Sequence, residues 1–144
     1  MTDTELIIAA TTASLFAHCP YSEFRVGAAV LANSRVFCGC NVENSSLGLT
    51  ICAERVAIFA AVAAGCKSLS TIAISCPDAP ATTDISQFMP CGACRQVMTE
   101  FGRDDTRILV HGIAEFRLGD LLKIPFRLDT ATRNSPVSTR DSDS

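Results

Sequence analysis

Apolar positions fall along this chain in blocks whose period changes from one block to the next, and those changes mark its elements. Residues 6–16 (LIIAATTASLF) are apolar and alanine-rich and follow Thr2-Asp3-Thr4-Glu5, a cluster of the side chains that cap helix N-termini. A first helix is predicted there, and Pro20 ends any continuation. Residues 25–32 (RVGAAVLA) are apolar with small members, the mark of a strand against which something packs closely. Asn33-Ser34 is a turn, and residues 35–40 return as the second strand of a hairpin. Residues 51–65 (ICAERVAIFAAVAAG) read as an alanine-rich helix ended by Gly65, with Lys67 close by. A buried strand over 69–76 (LSTIAISC) leads into a loop of Pro, Thr and Asp over 78–87. Pro90 then stops the chain before a shorter helix over 92–101 (GACRQVMTEF), closed by Gly102. Residues 107–110 are the next strand. Helices alternating with buried strands give an α/β domain whose sheet is covered on both faces.

A last short strand is expected over 115–117. Only four residues separate it from the 108–110 run, and a parallel neighbour needs a crossover of roughly a dozen residues or more. The last two strands are therefore antiparallel if they pair. From residue 129 the chain is Thr, Ser, Asp and Arg with one Pro and few apolar residues. A single domain over 1–128 and a disordered tail over 129–144 follow from that composition.

Chemistry concentrates in two stretches that both begin helices. Cys52-Ala53-Glu54-Arg55 opens the 51–65 helix, and Pro90-Cys91-Gly92-Ala93-Cys94-Arg95-Gln96 opens the 92–101 helix. A helix N-terminus, with free N–H groups and the positive end of the dipole, favours thiolates and carboxylates. Cys91 and Cys94 lie about one turn apart, so both sulfurs can face one metal ion. Three thiols leave one coordination position of zinc open, and Glu54 stands two residues from a ligand, within reach of that position. Cys-x-x-Cys alone also suits a redox dithiol or half of a closed zinc site. The upstream Cys-Ala-Glu and the proline before the pair favour a catalytic Zn2+ on Cys52, Cys91 and Cys94. A site of three thiolates needs a nearby cation, and Arg55, beside the acid, is read as donating to the sulfurs, with Arg95 as a second candidate. His18 and His111 are the only histidines; His111 follows an apolar run and reads as a strand-end residue. Cys19, Cys38, Cys40, Cys66 and Cys76 read as small hydrophobes.

Composition narrows the setting. With 144 residues, 48% hydrophobic, the chain is long enough for one real core. A formal charge of −3 argues against non-specific nucleic-acid binding, which needs a basic surface. No apolar run approaches a membrane span, so neither nucleic acid nor membrane is expected as a partner. Eight cysteines inside helix and strand patterns suit a reducing, cytoplasmic setting with metal-bound and buried thiols.

These pieces, with Phe24-Arg25-Val26-Gly27-Ala28-Ala29, Asn41-Val42-Glu43-Asn44 and Leu121-Leu122 before Phe126, resemble the cytidine deaminases of the small free-nucleoside type with a three-cysteine zinc site. The likeness runs from about residue 6 to 126. It implies a three-layer α/β/α sandwich with a mixed, roughly five-stranded sheet. Free-nucleoside deaminases have the antiparallel ending derived above, whereas the polynucleotide-editing branch resembles the parallel one. The implied activity is zinc-dependent hydrolytic deamination of cytidine and deoxycytidine to uridine and deoxyuridine with release of ammonia, in pyrimidine salvage. Glu54 would take a proton from the attacking water, deliver it to N3 and later protonate the departing amino group. By the same resemblance the Ala53 N–H holds the pyrimidine carbonyl, Asn41-Val42-Glu43 clamps the ribose, and Phe24 and Phe126 pack on the base or close the pocket.

Relatives usually carry a tyrosine where this chain has Leu47, in a segment that helps complete a neighbouring subunit's site in a tetramer. A homo-oligomer, a tetramer by resemblance, is therefore expected, with Leu47 bearing on substrate range. Two other readings of the same residues stay open: a deaminase of another cytosine nucleoside or aminopyrimidine, and a non-catalytic zinc-binding protein.

Overall fold

In the computed structural model, which describes residues 1–81 and 84–128, nine helices and strands of the described residues build one sheet and its two coverings. The 129–144 tail expected above lies outside the described residues. Thr2 caps α1 (Asp3–Ser14) through a capping box: the Glu5 N–H donates to Thr2 Oγ1 at 3.2 Å and the Thr2 N–H to Glu5 Oε2 at 2.7 Å. That box starts the helix three residues earlier than the apolar run alone suggests. Asn33 and Ser34 both take positive φ, 48° and 63°, as a two-residue hairpin turn requires. They join β1 (Gly27–Ala32) to β2 (Arg35–Cys40). Then follow α2 (Ala53–Ala63), β3 (Leu69–Ser75), α3 (Gly92–Phe101), β4 (Arg107–Val110), β5 (Ala114–Arg117) and a single turn of helix, α4 (Leu118–Leu121).

The strand order is β2-β1-β3-β4-β5. Only β3 and β4 run parallel; β1 with β2, β1 with β3, and β4 with β5 are antiparallel. The antiparallel ending expected from the short 111–113 connection is present. Burial alternates cleanly between the two faces. Ala28, Val30, Ala32, Ile72, Ile74, Ile108 and Val110 pack with α2 and α3, whereas Ala29, Ala73 and Leu109 pack with Leu6 and Ala10 of α1. A sheet buried on both sides reads as continuous apolar runs rather than alternation, which is how β1, β3 and β4 appear in the sequence. The three layers are α1, the sheet, and α2 with α3.

Two details fix α2, the helix that carries Glu54. Its C-terminus closes in a Schellman motif, with the Cys66 N–H on the Ala61 carbonyl at 2.9 Å and the Gly65 N–H on the Val62 carbonyl at 3.0 Å. Gly65 stands at φ 81° there, a backbone conformation glycine adopts without cost. Near its N-terminus, β2 comes into backbone contact: a Cβ on Gly39 would stand 2.4 Å from the Ala57 nitrogen and 2.6 Å from the Ala53 carbonyl oxygen. At the far sheet edge Arg107 bridges Glu115 of β5 and Asp3 of α1.

The Gly39 contact yields a prediction. Gly39→Ala forces α2 away from β2, and overpacking of this kind costs roughly 1–3 kcal/mol. The urea midpoint should fall with an unchanged slope; a midpoint equal to wild type would mean that the helix does not rest on β2 as described.

Candidate metal centre

Both helices that face the second layer begin on a cysteine. Cys52 is the N-cap residue of α2 and Cys91 that of α3, each extended, and neither helix has a capping side chain. Cys94 falls in the first turn of α3, as the spacing predicts. The sulfurs of Cys52 and Cys91 lie 3.8 Å apart and those of Cys91 and Cys94 3.5 Å, and all three lie within 4.8 Å of one another. A tetrahedral zinc with Zn–S bonds of about 2.3 Å puts its sulfurs about 3.8 Å apart. The donor set and its spacing fit Zn2+, with three ligands and one position open.

Position is set by backbone stitching. The Val42 N–H and Ile51 carbonyl, and the Ile51 N–H and Val42 carbonyl, pair at 2.9 Å, while the Glu43 N–H donates to the His18 carbonyl at 2.7 Å. The residue before Cys52 is thereby tied to the Asn41-Val42-Glu43 segment. On the other side, Arg95 Nε donates to the Pro90 carbonyl and Nη1 to the Leu121 carbonyl, both at 2.8 Å. Arg95 thus bonds backbone and not sulfur, because its position in the second turn of α3 aims it at the loop before Cys91 and at α4. Arg55 does reach a ligand: Nη2 donates to Cys52 Sγ at 3.5 Å.

Charge is arranged accordingly. Hydrogen bonding from Cys94 and Arg55 holds the Cys52 thiol well below its usual range, against the effect of burial. Cys94 moves the other way, through that same hydrogen bond with Cys52 and its burial. Glu54 is 4% exposed, and burial pushes its carboxyl up to about 7, opposed by its own backbone N–H. A buried acid near neutrality beside a metal set is suited to taking and giving protons at neutral pH.

Cys52, Glu54 and Cys91 open into a cavity of about 170 Å³. At about 30 Å³ per water, that is room for about six waters, on the scale of one six-membered heterocycle. Val26, Ile74 and Met89 give it apolar walls, and Asn41, Thr50, Cys76 and Gln87 add polar edges. Ala53 lines it too, at the uncapped start of α2, where N–H groups have no intrahelical partner.

The sequence-predicted residues therefore divide. Cys52, Cys91, Cys94, Glu54, Ala53, Arg55 and Asn41 come together. Phe24, Val42, Glu43 and Phe126 do not line this cavity in the single chain. Glu43 Oε1 accepts from the Tyr21 and Ser22 N–H groups, both at 3.1 Å. Val42 contributes backbone pairing, and Phe126 is exposed, its backbone held by the Gln96 amide at 2.9 and 3.2 Å. Thr50, Cys76 and Gln87 were missed by sequence reasoning. For Thr50 and Gln87 the only available signal was closeness to Cys52 and Cys91 in the chain.

The family model for the cytidine and deoxycytidylate deaminase zinc-binding region matches residues 1–110. A Mycobacterium tuberculosis cytidine deaminase is 45% identical over 125 residues, 86% of this chain and 89% of that protein. A Dictyostelium discoideum protein named "Probable cytidine deaminase" is 50% identical over 99 residues, 67% of this chain and 63% of that protein. Among solved structures, cytidine deaminase from Burkholderia pseudomallei superposes with a TM-score of 0.76 at 43% identity, covering 88% of this chain and all of that one.

Since metal binding is folding energy, Cys94→Ala is expected to lose stoichiometric zinc and to melt at lower temperature. Elemental analysis of gel-filtered protein reads this directly, and full zinc in a folded variant would remove Cys94 from the ligand set.

Proposed function

The chain belongs to the cytidine and deoxycytidylate deaminase family, and from that premise we propose that it hydrolyses cytidine and deoxycytidine to uridine and deoxyuridine, with Glu54 as the proton carrier. The observation that carries the reading is a buried carboxylate in the same small cavity as Cys52 and Cys91, two of the three sulfurs that stand at metal-binding distances from one another. Cys52, Cys91 and Cys94 would hold the zinc ion, which would supply Lewis acidity at their side of the cavity.

The protein's own groups then do the following. The Glu54 carboxylate takes one proton from the attacking water and delivers it to ring N3 as the new C4–O bond forms. It takes the second proton from the resulting hydroxyl and passes it to the exocyclic nitrogen. The C4–N bond breaks, C4 regains a carbonyl, and ammonia leaves. The Ala53 N–H donates to the ring carbonyl, while Val26, Ile74 and Met89 exclude water from the faces of the base. Arg55 offsets the thiolate charge at Cys52. Asn41, Val42 and Glu43 form the sugar side, Asn41 from the cavity wall and the other two by fixing the segment on either side of it. Phe24 and Phe126 close over the base once the site is complete.

A homotetramer is part of the proposal. An open apolar trough of about 540 Å³, lined by Ala9, Ala13, Phe16, Cys38, Gly39 and Val56 among others, offers a face for a second copy, and Phe16 is 78% exposed on it. A cytoplasmic role in pyrimidine salvage completes the proposal; the eight free cysteines are compatible with a reducing setting. No helix among the described residues is long and apolar enough to cross a membrane.

Absorbance-monitored incubation of the zinc-loaded protein with cytidine, deoxycytidine, cytosine and adenosine tests the reading. The two nucleosides of cytosine should be converted with ammonia release; no conversion of either would overturn it. Glu54→Gln keeps shape and hydrogen bonding but carries no proton, so turnover should fall by about 10²–10⁴ while zinc content stays at wild type. Near-normal turnover in that variant would rule out Glu54 as the carrier.

A further inference from the structure

Asn41 is 8% exposed and its amide is held from both ends: Oδ1 accepts from the Val26 N–H and Nδ2 donates to the Phe24 carbonyl, each at 2.8 Å. One N–H and one lone pair remain for another partner. Where they point depends on where the 24–26 backbone lies. Arg25, between those two partners, gives three hydrogen bonds to Asp78: the backbone N–H and Nε to Oδ2 at 2.9 Å each, and Nη2 to Oδ1 at 2.7 Å. Asp78 lies 53 residues further on, just past β3, on the connection that runs to Cys91. The segment needs holding, because Glu23 stands at φ 55°, a costly conformation for a residue with a side chain. Those same bonds from Arg25 bring the Asp78 carboxyl down to about 2, so it is ionised throughout the neutral range.

We infer that Asp78 is a positioning residue for the nucleoside: by clamping Arg25 it fixes the two backbone groups that aim the Asn41 amide at the sugar, a role that rests on the nucleoside reading given above. Asp78 lies outside the cavity lining and acts through Asn41 and Val26, the wall residues. Its removal therefore weakens substrate binding while leaving Glu54 and the sulfurs in place.

Steady-state kinetics on zinc-loaded wild type, Asp78→Asn, Asn41→Ala and the double variant test this, with melting temperature and zinc content measured alongside. Asp78→Asn should raise the KM for cytidine about tenfold, the scale of a single hydrogen bond to the substrate, with kcat within about twofold. Asp78→Glu, which keeps the carboxylate, should bring KM part of the way back. Because Asp78 acts through Asn41, the double variant should be no worse than Asn41→Ala alone. Should Asp78→Asn fail to fold, Arg25→Lys keeps the backbone bond, removes the two-pronged guanidinium pairing and should show the same KM rise. An unchanged KM, an effect confined to kcat, or additive effects in the double variant would overturn the inference. A wild-type protein inert toward cytidine would overturn the nucleoside reading and the role of Asp78 with it, whereas active wild type matched by Asp78→Asn would remove only the latter.

Discussion

Everything in this chain depends on bringing two helix N-termini to within one metal's reach. Cys52 and Cys91 are the residues on which α2 and α3 begin, so their sulfurs cannot meet unless the two helices start side by side. Each start carries N–H groups with no internal partner and the positive end of a dipole. Sulfur and carboxylate are the groups that such a place favours, and Glu54 and Cys94 occupy the first turns. The helices and the acidic groups stabilise one another, so site and fold share much of one free energy.

The sheet makes that meeting possible through size rather than through specific bonds. Strands β1 and β3 present Ala28, Ala32, Ile72 and Ile74 to the helix layer, and β2 brings Gly39 against the backbone of α2. Gly39 on β2 and the alanine-rich face of α2 let strand and helix approach closely, and Glu54 is buried at the start of that helix, facing only the small cavity. A deeper helix means a drier acid, and a drier acid titrates nearer neutrality. The alanine content that looks ordinary as composition thus bears on the chemistry of one carboxylate.

Features coded within a few residues were legible in the sequence. The Thr2–Glu5 cap, the Asn33-Ser34 turn, the Gly65 terminus and the Cys-x-x-Cys spacing each depend on neighbours along the chain, and each stands where the pattern puts it. Features that depend on distant partners were not. Gly102 looks like a glycine needed for a left-handed helix end, yet its φ is −102°, which any residue adopts; the crowding of Met98, Thr106 and Leu118 around it is what leaves no room for a side chain. Arg95 stands beside Cys94 but bonds carbonyls of Pro90 and Leu121. Asp78 reads as one more polar loop residue, since its partner Arg25 precedes it by a hairpin, a helix and a further strand. Thr50 and Gln87 lack any pattern that would mark them as cavity lining.

A division of labour follows from the same distinction between local and distant coding. The reacting end of the cavity is built from two helical starts, whose geometry is set by the N-cap positions of Cys52 and Cys91 and by the i, i+3 spacing of Cys91 and Cys94. The other end, the sugar side of the proposal, is built from loops held by non-local bonds: Glu43 to the 21–22 backbone, Asn41 to 24 and 26, and Asp78 to Arg25. A change in any one of these shifts the wall without touching a sulfur. Leu47 and Leu49 stand exposed on the turn that leads into Thr50, at that same end. The two-bond pairing of Val42 with Ile51 ties those loops to the residue before Cys52, so the loop end and the sulfur end meet through backbone rather than through side chains that carry the chemistry.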